Sequence, residues 1–235
     1  MILNSDEGEI LLYNKPYRWT SFDAVNSLRI FAKMGLGIKK LKVGHAGTLD
    51  PLATGLLILC TGKMCKRIEE FKEFDKEYTG TFTIGATTPS FDLETEVDQT
   101  FTYDHVTTEK IVEASQRLSG TFYQLPPNFS AVKVAGKRAY EYARKDQEVI
   151  IQPKQVTIPR FEIVKIELPV IEFRIVCSKG TYIRAIARDL GVMLNSGAYL
   201  SSLCRTRIGP HNLADAHEPD EWKRILTEEA TGHVA

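Results

Sequence analysis

"RFEIVKIELPVIEFRIVC", residues 160–177, holds two runs in which apolar residues recur at about every second position, broken at Leu168-Pro169. Period two is the spacing of a half-buried strand, and two such runs with so short a break read most simply as an antiparallel hairpin. No helix fits between them. Strict strand–helix alternation therefore fails, and an α+β chain with a largely antiparallel sheet and helices packed on it is expected.

The flanking stretches agree. Downstream, "TYIRAIARDLGVML" carries Ile183, Ile186, Ala187, Leu190 and Leu194 at helical spacing, with Gly180 breaking the strand before it and Thr181 as a candidate cap. "YLSSLCRTRIG" reads as a final strand. Upstream, "RAYEYARK" and "TTEKIVEASQRLSG" read as helices, the latter ending at Gly120. "YQLPPNFSAVKVAGK" reads as a strand after a proline pair, and "EYTGTFTIG" alternates through Tyr78, Gly80, Phe82 and Ile84. "EILLYNK" reads as a strand. "TSFDAVNSLRIFAKM" reads as a helix capped by Thr20 and Asp23, with Phe22, Val25, Leu28 and Phe31 or Ala32 on its apolar face. "GLGIKKLKVGHAG" reads as a loop, "LLILC" as a short buried strand, and "GKMCKRIEEFKEF" as a helix with Met64, Ile68 and Phe71 inward.

The 235 residues can build one large domain, and no linker rich in Pro, Gly or Ser divides them. Hydrophobic residues at 43% and charged residues at 26% are ordinary for a globular protein. No apolar run is long enough to span a bilayer, and "MILNSDEGEILLYNK" is not built like a secretory signal. The four cysteines form no C-x-x-C pair, so a reducing cytoplasm is expected and a zinc site is not. Net charge is zero but unevenly placed. Lys39, Lys40 and Lys42 stand without an acid; Lys133, Lys137, Arg138, Arg144 and Lys145 face only Glu141; and residues 92–113 hold seven acids. A basic face exists if these basic runs converge; otherwise each is a solvated surface.

One acid stands out in "GHAGTLDPLATG", residues 44–55. Gly44, Gly47 and Gly55 open backbone angles closed to other residues, and Pro51 holds Asp50 extended. The arrangement can present one carboxylate at a fixed angle, or it can be a plain turn before proline. Arg184 falls in the first helical turn after Gly180, where the helix dipole disfavours a cation and a nearby carboxylate would compensate; Asp50 is one candidate. Tyr78 can fill the core or face a ligand. Ser130-Ala-Val-Lys133 fits the serine–lysine pattern S-x-x-K, but it lies in a strand-like stretch and no K-T-G follows. The five histidines are scattered.

Six blocks carry a resemblance. They are "NKPYRWTSFDAVN" (14–26), "GHAGTLDPLATGLLILCTGK" (44–63), "KEYTGTFTIGATTPSFDLE" (76–94), "LPPNFSAVKVAGKRAYEYAR" (125–144), "CSKGTYIRAIARDLG" (177–191) and "LCRTRIG" (203–209). In that order, over nearly the whole chain, they resemble the TruB family of tRNA pseudouridine synthases. The resemblance implies the pseudouridine synthase fold and a cytoplasmic enzyme, most simply a monomer. Such an enzyme isomerises the uridine at position 55, in the T-arm loop of tRNA, by base flipping, with neither cofactor nor metal. It matches Asp50 to the essential aspartate, with Tyr78 and Arg184 as catalytic partners and Arg184 paired to Asp50. It matches His45, Asp92, Tyr182 and Leu203 to substrate-binding positions. Lys39, Lys40, Lys42, Lys133 and Lys179 become candidate RNA-backbone contacts. It absorbs Ser130 and Lys133 into a family block. Glu77 and Thr79 depart from relatives that carry basic residues there. Residues 1–210 are expected as the catalytic domain and 211–235 as a short tail without the PUA-like RNA-binding domain common in the family. The rival class is a tRNA-binding or tRNA-folding module with dispensable chemistry.

Overall fold

The computed structural model describes residue 3 and residues 7–130, 132–134, 136–143, 145, 147 and 149–231. In chain order the elements are β1 (Ile10–Lys15), α1 (Ser21–Leu36), β2 (Val43–His45), β3 (Thr54–Thr61), a 3-10 turn (Gly62–Arg67), α2 (Ile68–Glu73), β4 (Lys76–Ile84), β5 (Ala86–Thr87), β6 (Gln99–Thr100) and α3 (Thr108–Arg117). There follow β7 (Gly120–Gln124), β8 (Lys133–Val134), β9 (Lys137–Arg138), α4 (Ala139–Ala143), β10 (Lys154–Ile158), β11 (Arg160–Glu167), β12 (Val170–Cys177), α5 (Ile183–Met193), β13 (Ala198–Ile208), β14 (His211–Asn212) and α6 (Pro219–Thr231). The chain is α+β with mainly antiparallel strands. It divides into two compact units, one comprising the residues up to Tyr78 and from Cys204 onward, the other Thr79–Leu203. No helix among the described residues is long and apolar enough to cross a membrane.

In the first unit, β3 lies between β1, its antiparallel partner from Ile10↔Cys60 to Lys15↔Gly55, and β13, which runs parallel to it at Cys204↔Thr54 and Arg205↔Gly55. Leu56, Leu57, Ile58, Leu59 and Cys60 are all fully buried. Leu57 and Leu59 pack with Leu11, Tyr13, Val25 and Leu28, whereas Leu56, Ile58 and Cys60 pack with Ala46, Phe71 and Ile208. A strand covered on both faces needs a continuous apolar run, which is why "LLILC" does not alternate.

The capping box of α1 forms as expected: Asp23 N donates to Thr20 Oγ1 at 3.1 Å, and Thr20 N donates to Asp23 Oδ2 at 2.7 Å. Its buried face is Ala24, Val25, Leu28 and Ala32; Phe22, expected inward, is 58% exposed. Residue 22 sits one position after the buried Ser21, about 100° around the helix, which turns its ring out of the packed stripe. The C-terminal helix α6 completes this core with Trp222 and Leu226.

Two further expectations change here. The basic stretch read as a loop contains β2, which pairs with β3 from Val43↔Thr61 to His45↔Leu59. The stretch read as one helix after β3 begins as a 3-10 turn and becomes α-helical only at Ile68.

In the second unit the hairpin of β11 and β12 runs from Arg160↔Val176 to Glu167↔Val170, with a bulge between Ile163 and Lys165. Ile171, Phe173, Ile175 and Cys177 point into the core, and Phe173 stacks on Phe82 at 4.1 Å. Thr81 Oγ1 lies 2.8 Å from Ser201 Oγ, across neighbouring β4 and β13. The strand expected after the proline pair is displaced. The regular strand is β7, before the prolines and paired with β10; after them, among the described residues, Lys133 and Val134 pair with Arg138 and Lys137. Proline has no N–H to give a ladder, so the pairing skips this stretch.

Candidate active site

Asp50 sits in the loop between β2 and β3, and that loop is held from several directions within the first unit. Ala53 N donates to the Asp50 carbonyl at 3.1 Å, closing a four-residue turn with Pro51 at its second position. Ser21 Oγ, at the start of α1, donates to the Leu49 carbonyl (3.2 Å) and accepts from the Leu49 amide (2.9 Å). The Pro51 carbonyl accepts from Arg18 N at 2.8 Å and from Lys15 Nζ at 3.4 Å. Arg205 donates to the carbonyls of Gly47, Thr48 and Leu56. The peptides on both sides of Asp50 are thus fixed, while its own side chain stays half-buried. Gly47 and Gly55, with φ of 98° and 102°, supply the turns at the loop's two ends. Gly44, grouped with them on sequence, has no positive φ; it is close to Ile68, whose Cδ1 lies 2.7 Å from where a Cβ would stand.

Two buried cations, Lys15 and Arg205, hold this loop. Lys15 Nζ also donates to the carbonyls of Pro16 (2.9 Å) and Trp19 (2.6 Å). Burial pushes its ammonium down to about 8, the charge of Asp50 opposes that shift and the charge of Arg205 adds to it. His45, half-buried at the end of β2, has an Nδ1 that meets no hydrogen-bond partner among the described residues. Burial holds its imidazole below the usual histidine value, with the Gly47 backbone partly offsetting. Tyr78 is buried on β4. Lys39, Lys40 and Lys42 are exposed between α1 and β2.

In the second unit, Arg184 is buried in the first turn of α5. Its Nη1 donates to the Ser90 carbonyl (3.0 Å), its Nη2 to the Phe129 carbonyl (2.8 Å), and its Nε stands 3.4 Å from Asp92 Oδ2. Asp92 is thus a carboxylate that offsets a cation at the positive end of the helix. Asp92 Oδ1 accepts from Glu94 N, and Thr88 Oγ1 and Ser90 Oγ both donate to the Asp92 carbonyl, so this loop is tied internally as well. Thr181 does not cap α5: its Oγ1 donates to the Ser178 carbonyl, and Tyr182 is the cap residue. Gln124 instead brackets Tyr182, accepting from its N–H at 2.8 Å and donating to its carbonyl at 3.1 Å. Leu203 is half-buried on β13, and Lys179 is exposed. Lys133 lies on β8 with its side chain outside the described residues, as is Arg144.

Arg184 and Asp92 are therefore brought together within one unit, and His45 and Asp50 lie in one β2–β3 connection. The sequence reading missed Lys15, Ser21, Gln124 and Arg205. Lys15 and Ser21 lie inside "NKPYRWTS", and a lysine ending an otherwise apolar strand was the available signal. Among the described residues no group of three or more His, Cys, Asp or Glu side chains could hold a metal ion.

Comparison with known proteins narrows what this arrangement serves. Residues 33–183 match the model of the TruB family pseudouridylate synthase (N terminal domain). The chain is 53% identical over 232 residues to tRNA pseudouridine synthase B of Phocaeicola vulgatus, covering 99% of both chains. It is 55% identical to the protein of that name from Parabacteroides distasonis, covering 93% of both, and 45% identical to that from Chloroherpeton thalassium, covering 97% of this chain and 95% of the other. Among solved structures, it matches a chain of an H/ACA RNP bound to a substrate RNA containing 2′-deoxyuridine at TM-score 0.69 and 20% identity, covering 95% of this chain and 55% of that one. A chain of the archaeal box H/ACA sRNP Nop10–Cbf5 complex matches at TM-score 0.68 and 20% identity, with 97% and 57% covered. At that identity the structures speak for the fold alone.

Proposed function

The chain belongs to the TruB family of pseudouridylate synthases, and from that premise we propose that it converts the uridine at position 55, in the T-arm loop of tRNA, to pseudouridine, with Asp50 as the acting carboxylate. It is an isomerase. The N1–C1′ bond breaks, the uracil turns, C5 joins C1′, the C5 proton is lost and N1 gains one, so no external oxidant or group donor is required. The name shared by its relatives, tRNA pseudouridine synthase B, supports tRNA as the substrate.

The observation that carries the role of Asp50 is the clamping of the peptides around it by Ser21, Arg18, Lys15 and Arg205. A plain surface turn has no use for a buried hydroxyl and two buried cations holding its backbone. A carboxylate that must meet C1′, C6 or the C2′ proton at a fixed distance does.

The target nucleotide leaves the loop before reaction, because a stacked base hides the glycosidic bond. Tyr78 receives the uracil and takes part in proton transfer. His45 fills the space the base vacates; a histidine held neutral by burial suits stacking better than phosphate attraction. Tyr182, Leu203 and Asp92 line the nucleotide's place, and Arg184 joins Asp50 and Tyr78 in the catalytic set. Lys39, Lys40, Lys42, Lys133 and Lys179 follow the phosphates. The enzyme works as a cytoplasmic monomer.

The test is direct. Wild type and Asp50→Asn are incubated with uridine-containing tRNA, and pseudouridine is mapped chemically. Product at position 55 from wild type alone is expected. Equal product from the Asn variant would remove Asp50 from the chemistry, and product at another position would overturn the T-arm assignment.

A further inference from the structure

We propose that Arg205 is the positioning residue that aims Asp50, a role that rests on Asp50 being the acting carboxylate. Arg205 is 1% exposed. Its backbone stands opposite Gly55 in the parallel pairing of β13 with β3, at the end of the Asp50 loop. From there its guanidinium reaches both ends of that loop. Nε donates to the Leu56 carbonyl at 2.7 Å, Nη2 to the Gly47 carbonyl at 3.2 Å and Nη1 to the Thr48 carbonyl at 3.5 Å. One planar fork thus ties residues 47–48 to residue 56 across the loop that carries Asp50.

The chemistry of the contacts favours this role over simple packing. Among the described residues Arg205 makes no ion pair; its acceptors are three neutral carbonyls. A buried cation without an anion is costly, and an apolar side chain would fill the same space without that cost. What an apolar side chain lacks is three donors in fixed directions. Lysine lacks them too, since its ammonium is a single point on a flexible stem. The arginine's geometry matters because the carbonyls it holds lie on the two arms of the Asp50 loop, and their separation sets the angle at which the carboxylate leaves it.

The test compares Arg205→Lys, Gly47→Ala and Asp50→Asn in the full chain. Single-turnover rate at saturating T-arm stem-loop RNA, RNA dissociation constant and amide hydrogen exchange of residues 46–53 are measured on the folded fraction of each. Arg205→Lys is expected to lower the rate between about tenfold and a hundredfold. RNA affinity should stay within about twofold, and loop amides should exchange about tenfold faster. Gly47→Ala disturbs the same loop end through its φ of 98° while leaving Arg205 in place. It should give the same split of rate from affinity, and it decides the question if Arg205→Lys does not fold. Wild-type rate and wild-type loop exchange in Arg205→Lys, or in Gly47→Ala should the lysine variant not fold, would overturn the proposal. So would a loss confined to RNA affinity. Full turnover by Asp50→Asn would instead overturn the role of Asp50, and loop exchange in Arg205→Lys would still report whether Arg205 holds the loop.

Discussion

Arg184 Nε stands 3.4 Å from Asp92 Oδ2, with the two side chains only 5% and 7% exposed. Each charge is out of water, so neither can lose its partner cheaply. Asp92→Ala takes a carboxylate from a buried guanidinium at the positive end of α5 and should cost on the order of 3 kcal/mol of folding stability. Asp92→Asn keeps an acceptor near Arg184 and should cost less. Urea unfolding of both variants checks the order; an alanine variant as stable as wild type would mean that Asp92 contributes nothing to holding Arg184.

At Gly55 a side chain has nowhere to go. A Cβ there would stand 2.4 Å from the Arg205 carbonyl oxygen and 2.9 Å from Cys204 Sγ, on a backbone at φ 102°. Gly55→Ala should therefore destabilise by about 3 kcal/mol or more, combining backbone strain with forced separation of β3 and β13. Thermal unfolding measures it, and a shift of less than a few degrees would contradict the close approach.

Lys15 gives stability a pH dependence with a definite sign. The unfolded chain keeps this proton up to about pH 10.5, the folded chain only up to about 8. Between those values the unfolded state binds more protons, so raising the pH favours folding; below about 8 the full cost of the buried charge is present. Tyr13, raised by burial to about 12, acts oppositely, its contribution being lost only above its unfolded value of 10. Cys60, also raised by burial to about 12 from its ordinary 9, opposes Lys15 above pH 9, so the window from pH 8 to 10 reads Lys15 through the difference from Lys15→Met, in which Tyr13 and Cys60 cancel. Wild-type stability, measured by urea unfolding against Lys15→Met, should rise through that window. A constant difference would mean Lys15 is not desolvated in solution.

Legibility in the sequence followed the range of the interactions. The β11–β12 hairpin, the Thr20–Asp23 capping box and the buried run of β3 were readable because each is set by residues a few positions apart. Asp50 was readable as a stiffly held acid, but the cause assigned to it, glycines and Pro51, was only the local part. Arg205 lies 149 residues from Leu56, and Ser21 lies 28 from Leu49. No local pattern announces such pairs. The same holds for Asp92 as a carboxylate partner of Arg184. Phe22 failed for another reason: on a helix whose buried stripe is filled by small residues, an aromatic at its edge counts as apolar in the pattern and still points to water. Trp222 and Leu226 lay in the stretch read only as a short tail; its acids Asp220 and Glu221 occupy the first turn of α6, where the helix dipole favours them.

His45 offers the last prediction, because its charge state separates two ways of meeting RNA. Burial lowers its pKa from the usual value near 6.5, with the Gly47 backbone offsetting part of the shift and the charges of Lys72 and Arg205 adding to it. As pH falls through 6.5 the unfolded chain gains a proton that the folded chain refuses, so folding stability is lost on acidification, and less so in His45→Phe. At pH 7.5 the imidazole is neutral and releases no counterion when RNA binds. The slope of log affinity against log salt should then be the same for wild type and His45→Phe. Lys40→Ala, which removes an exposed cation, should lower its magnitude by about 0.7 to 0.9. Nitrocellulose filter binding of a T-arm stem-loop between low and moderate salt measures both. A slope that falls in His45→Phe would put a charged imidazole against a phosphate and rule out the neutral stacking role.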